Sequence, residues 1–393
     1  MEQSKGKTKL AIFSVGILMM GAMAIASGLA VIGEHFGDVP QTSIQLLITI
    51  PCMIIIVANP VFGKLQEYVP IKTLILIGVM CFLLGGIAPA FLSSFPLILV
   101  CRGIVGVGVA AAQVLSSSMV AANFEGEERA KVMGQLSSAQ MLGCAVMVFV
   151  SGYLAMMGWN MTFYVHLIAI ISLVCVAAFL PDIKPMRAAE GGTAEKIDIS
   201  GAYGWALTMF VYFISGLTLA TYLAFVIMEK NLGTAADAGT ATMAFAIGGF
   251  LMGFFFGNLA QVARKASLAV GLFTGVIAFL MIAFATNMAM VYLGSLIFGF
   301  TTTIVFASIM DGTSSSVSPA SIPMAISIVT AGQNLGSFLC PYIITPIAAA
   351  MSNNVNTYAF IVGAIQFAIM GVIALIWGIS KNAKKTEQRT INT

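Results

Sequence analysis

The sequence predicts an all-α integral membrane fold, with twelve transmembrane helices in two pseudo-symmetric six-helix bundles and both chain ends in the cytoplasm. Three observations predict it. Of 393 residues 59% are hydrophobic and 8% charged, with a mean hydropathy of +1.00, more apolar surface than a soluble core accommodates. Apolar runs of about 20 residues, enough to cross roughly 30 Å of hydrocarbon, recur twelve times between short polar breaks. Lysine and arginine prefer the cytoplasmic side, and a twelve-helix threading places Lys5, Lys7, Lys9, Lys64, Lys72, Arg129, Lys131, Lys184, Arg187, Lys196, Arg264, Lys265, Lys381, Lys384, Lys385 and Arg389 there. Of the other two cations, Lys230 is outside and Arg102 lies within the fourth helix.

Taken in order, the segments span 8–33, 43–63, 71–92, 96–122, 130–156, 161–180, 201–227, 240–263, 266–286, 289–311, 322–350 and 356–379. The basic stretch MEQSKGKTKL leads into an apolar run too long for a signal-peptide core, so it reads as a retained first helix. Turn and cap chemistry marks the breaks: GDVPQTS before the second segment, FLSSFP before the fourth, SPASIP before the eleventh and MSNNVNT before the twelfth. The domains expected are a bundle over 1–182, a cytoplasmic linker over 183–200, a bundle over 201–380 and a basic cytoplasmic tail over 381–393. An internal repeat supports the division: Gly63-Lys64-Leu65 is echoed by Gly257-Asn258-Leu259, and Leu142-Gly143 by Leu335-Gly336.

Several function classes are disfavoured. The net charge of +3 is small and scattered, which leaves no footprint for nucleic acid. The six cysteines lie in apolar segments without CxxC spacing and read as reduced packing residues. His35 and His166 stand in no ligand cluster, so neither metal nor cofactor is expected. No phosphate-binding loop points to ATP, and no nucleophile with a base points to an enzyme.

Arg102 is the residue that most needs a role, because an arginine at mid-bilayer costs roughly 2.5 to 3.5 kcal/mol on insertion scales. At helical spacing it shares a stripe with Gly106, Gln113 and Ser117. Further polar stripes are Gln45, Thr49, Cys52 and Asn59 in the second segment, Thr208, Tyr212, Ser215 and Tyr222 in the seventh, Thr301 and Ser308 in the tenth, and Ser327, Thr330 and Asn334 in the eleventh. Such stripes turn away from lipid, toward a cavity or toward interhelical hydrogen bonds. As a cavity set they predict Arg102, Gln113, Gln45, Thr49, Tyr212, Ser215, Tyr222, Thr301, Ser308, Thr330 and Asn334. Glu34 closes the first segment on the outer side and is a candidate partner for Arg102 at the outer mouth. Asp311 is expected to cap or pair locally near Ser314 to Ser316, and His166 to pack.

These residues resemble the major facilitator superfamily, and most closely its bacterial twelve-helix drug- and sugar-efflux members. Gly63, Leu65, Glu67 and Lys72 in GKLQEYVPIK match its loop after the second helix, with Tyr68 and Pro70 where arginine and glycine are usual. Arg102, Gly106 and Gly108 match the fourth-helix signature, and Arg129 to Gly134 with Gly158-Trp159 match the next loop and the entry to the sixth helix. Of the antiporter signature in the fifth helix, Gly143 and Ser151-Gly152 remain, with Met147 and Val148 at the Gly-Pro positions. The resemblance implies a cavity lined by helices 1, 4, 7 and 10, and Glu67 seated at the start of the eleventh helix near Ser321 and Pro323. It implies a monomeric secondary transporter of the bacterial cytoplasmic membrane that exports lipophilic or amphiphilic small molecules in exchange for protons. Uptake or facilitated exchange of a small solute, including a monoanion held by Arg102, and a non-transporting receptor are the alternatives.

Overall fold

The protein is described by a computed structural model over residues 2–180, 198–263, 266–318 and 321–391. Twelve apolar helices follow in order: α1 Gly6–His35, α2 Gln41–Leu65, α3 Ile71–Phe91, α4 Phe95–Asn123, α5 Gly126–Ala155, α6 Trp159–Phe179, α7 Ser200–Glu229, α8 Ala235–Gly253, α9 Ser267–Ala283, α10 Met288–Ser314, α11 Ile322–Met351 and α12 Val355–Ile376. Eleven are long and apolar enough to span a membrane outright. The shorter α9 has 17 residues, about 26 Å at 1.5 Å per residue, which is still within reach of a bilayer core. The helix begun by α12 continues to Ile391, so part of the expected tail is helical. The linker cations Lys184, Arg187 and Lys196, with Arg264 and Lys265, lie outside the described residues.

Two helices are not the straight rods their hydropathy suggests. α1 leaves α-helical geometry at Gly16 and runs as 3₁₀ helix over Ile17–Met23 and Ala26–Gly28, with Met20 at φ −107°, ψ 17°. α7 breaks between Gly216 and Thr218. A break frees carbonyls from the i→i+4 ladder, and in an apolar interior those carbonyls need other donors. Glycines set the close approaches: a Cβ on Gly143 of α5 would strike the Ile17 backbone of α1, and one on Gly152 would strike Ala235 and Gly239 of α8.

α1–α6 and α7–α12 form the two bundles, which meet mainly through α5 against α8 and α2 against α11. Their joined end carries Glu34 and Gln41. There Gln41 Nε2 donates to Asn356 Oδ1 at 2.5 Å, and Asn356 Nδ2 donates to Glu229 Oε2 at 2.8 Å. At the opposite end, which carries Glu67, the backbones at Gly63 and Gly134 have open space beside them. Lys230, just beyond α7, donates to the Ala283 carbonyl at 2.5 Å and the Ala285 carbonyl at 3.4 Å. That partial burial lowers its ammonium pKa below the ordinary lysine range, and its charge sits well against the carbonyl end of α9.

Candidate functional site

Arg102 is reached by following the backbone. Pro51 in α2 has no N–H, so the Leu47 carbonyl four residues earlier lacks its helical donor. Gly106 lets α4 approach at that point, since a Cβ there would lie 2.9 Å from Pro51 and Ile54. One turn along, Arg102 Nε donates to the Leu47 carbonyl at 2.6 Å, and Nη2 donates to the Ala22 carbonyl in the 3₁₀ part of α1 at 2.7 Å. Nη1 lies 3.1 Å from His166 Nε2, and His166 Nδ1 lies 2.9 Å from the Phe163 carbonyl. Arg102 is 0% exposed. The expected substrate contact and the expected pair with Glu34 are therefore corrected for this structure: the guanidinium is occupied inside the N-terminal bundle, whereas Glu34 is exposed at its end. His166, expected only to pack, is the missed member of the group. Pro51, four residues after Leu47, was the sequence signal for a carbonyl needing a donor.

The C-terminal bundle solves a similar problem without charge. Gln366 of α12 donates to the Val211 carbonyl and accepts from Ser215 Oγ at 2.7 Å, bridging to α7 just before its break. Tyr212 donates to Thr302 at 3.2 Å, and Thr274 and Thr301 are 3.1 Å apart. Tyr212, Ser215 and Thr301 are fully buried, so these three cavity candidates turn into their own bundle here. A polar stripe must avoid lipid, but the bundle interior meets that requirement as well as a cavity does.

Gln45, Thr49 and Tyr222 lie on helices that meet between the bundles. Gln45 Nε2 crosses to the Thr221 carbonyl at 3.1 Å, and Tyr222 and Thr345 hydroxyls are 2.7 Å apart. Thr49 Oγ1 is buried without a hydrogen-bond partner among the described residues. These residues are sealed while this end is joined. Beyond them a cleft of about 570 Å³ is lined by Glu34, Gln41, Phe225, Glu229 and Asn356.

The remaining candidates differ in exposure. Gln113 is half-buried and donates to the Met19 carbonyl at 3.1 Å, beside half-buried Met20 and Met23 at the break of α1. Thr330 and Ser308 are half-buried. Asn334 is 8% exposed and donates to its own helix at the Thr330 carbonyl. Among the expected gating residues, Glu67 pairs with Lys64 at 2.5 Å rather than with the start of α11, where Ser321 instead accepts from the Asp198 N–H at 3.1 Å. Lys72, close to Glu67 in sequence, is half-buried, and Arg129 and Asp311 are exposed. Asp311 accepts from the Ser315 N–H through its carbonyl at 2.9 Å. Gly108 packs α4 on Gly78 and Phe82 of α3. α5 continues through Met147 and Val148 to Ala155, since neither residue interrupts a helix as proline does.

The sequence profile of the Major Facilitator Superfamily matches residues 11–207 and again 205–392. The chain belongs to the major facilitator superfamily. The twofold match reflects the two bundles of this superfamily member. It is 28% identical over 215 residues to an uncharacterized MFS-type transporter, YfiU, of Bacillus subtilis strain 168, a stretch covering 53% of this chain and 40% of that relative. Its fold is similar to the crystal structure of the nucleoside transporter NupG, with a TM-score of 0.77 at 10% identity, over 94% of this chain and 99% of that one. A bacterial homologue of the human lysosomal transporter Spinster, inward-facing and unoccupied, gives a TM-score of 0.71 at 15% identity, over 96% of each chain. The chain is thus a multi-pass membrane protein of this superfamily, and it spans less than half the length of the curated relative it matches.

Proposed function

We propose that this transporter exports lipophilic or amphiphilic small molecules in exchange for protons, as a monomer in the bacterial cytoplasmic membrane, with the Glu67 end inside. One observation carries the substrate class: Arg102 is enclosed in its own bundle, and the half-buried candidates Gln113 and Thr330 are neutral, with Gln113 against Met19 of α1. Such a surface suits adaptable apolar contact with a few hydrogen bonds. The charge asymmetry supports the orientation, which puts the Glu67 end at the cytoplasm, where an exporter loads. A proton falling through 100 mV supplies about 2.3 kcal/mol, enough for roughly a forty-fold gradient.

A second reading is facilitated exchange of a neutral solute. It is favoured by the acids Glu34, Glu67, Glu229 and Asp311 standing at helix ends rather than at mid-membrane. Flux in proteoliposomes separates the two readings. Export predicts uptake of tetraphenylphosphonium or a neutral amphiphile into inverted vesicles that is accelerated by an inward-acid pH gradient. Flux indifferent to that gradient selects exchange, and absence of flux for cationic, neutral and anionic probes alike overturns both.

A further inference from the structure

The contact between Arg102 and His166 has a property that a packing contact lacks. The Phe163 carbonyl can only accept, so His166 Nδ1 carries the hydrogen; the guanidinium can only donate, so Nε2 offers its lone pair. Both ring nitrogens are thereby assigned, and the contact exists only with a neutral imidazole. A proton on Nε2 would set two cations against each other at a place where both side chains are fully buried. The surroundings offer no relief. α3 presents Phe82, whose ring centre is 5.0 Å from the imidazole, and Gly86, where a Cβ would collide with the ring. α4 presents Arg102, with Cys101 and Cys52 of α2 near its guanidinium, and α6 itself presents the Phe163 carbonyl.

The same guanidinium holds the 3₁₀ part of α1 through Ala22 and the proline turn of α2 through Leu47. Whatever displaces it from His166 therefore acts on two helices that reach the other bundle. We propose that His166 is the proton-coupling residue of the cycle: it takes a proton when Arg102 withdraws, and gives it up when the N-terminal bundle closes again around α1. The step forms one N–H bond from a solvent proton and the Nε2 lone pair; Arg102 keeps its charge. A proton that binds only the released state shifts the population toward that state, and closure expels the proton by the same coupling. The inference rests on the proton-exchange reading above.

The chain has two histidines, His35 and His166, so nitrogen NMR of isotope-labelled imidazoles in nanodiscs resolves each. The expected signature is one imidazole with its hydrogen on Nδ1 at neutral pH, missing from the His166→Gln protein. An imidazole with hydrogen on Nε2 at that position overturns the proposal. In proteoliposomes, His166→Gln retains a neutral acceptor for Arg102, so tetraphenylphosphonium counterflow is expected to persist while substrate-driven proton movement is lost. Proton movement that survives in His166→Gln overturns the inference alone. Wild-type flux without proton movement overturns the proton-exchange reading and this inference with it.

Discussion

The two bundles hold their broken helices by different chemistry at related places. Phe82, Arg102 and His166 in the first are followed 197, 196 and 194 residues later by Phe279, Phe298 and Phe360 in the second. The aromatic ring of Phe279 lies 4.6 Å from that of Phe298 and 5.1 Å from that of Phe360, whereas Arg102 and His166 meet through a polar contact. In the second bundle the bridge to the broken helix is the amide of Gln366. The difference teaches that a shared architecture does not require shared interior chemistry. One bundle is locked by a cation that answers three acceptors, and the other by dispersion and a neutral amide, so a proton has an interior target in the first.

The largest effect should come from Arg102→Leu, which leaves the Ala22 and Leu47 carbonyls and His166 Nε2 without their donor. Each orphaned acceptor costs roughly 1–3 kcal/mol, so a fall of many degrees in the thermal midpoint in detergent is expected. Gln366→Leu removes one neutral bridge, at about 1–3 kcal/mol, and its midpoint should fall less. If Gln366→Leu proves the more damaging, the contrast between the bundles is broken. Next in size is Gln41→Ala, which removes a cross-bundle hydrogen bond of roughly 0.5–1.5 kcal/mol. It should raise thiol labelling of a cysteine placed at position 45, and unchanged labelling would show that this bond does not hold the end shut. The smallest effect is expected from Glu34→Gln: an exposed acid away from Arg102 should change stability by less than about 0.5 kcal/mol. A loss comparable to that of Arg102→Leu would restore the pair at the outer mouth.

Much of the architecture was legible because lipid imposes a strict length and polarity on each crossing, and the chain obeys it twelve times. The site was legible only in part. The stripe of Arg102, Gly106 and Gln113 was read with the correct period, yet its members separate: Arg102 enters the bundle, Gly106 meets Pro51, and Gln113 reaches the α1 break. Helical periodicity names a face but not what lies opposite it. His166 was passed over because its partner is 64 residues away, and nothing local marks a histidine as an acceptor.

By itself, then, the sequence determined the number of crossings, the twofold division and the presence of one cation that needed a reason, all consequences of the energy of placing groups in hydrocarbon. The tertiary structure decided what that reason is. Pro51 leaves the Leu47 carbonyl without its helical donor, and only the packing of α1, α2, α4 and α6 brings that carbonyl, the Ala22 carbonyl and His166 within reach of a single guanidinium. The opening stripe thus became a clamp, with half-buried Gln113 and Ser117 at its other end, because hydrogen bonds in an apolar interior must be completed by whichever helices lie adjacent.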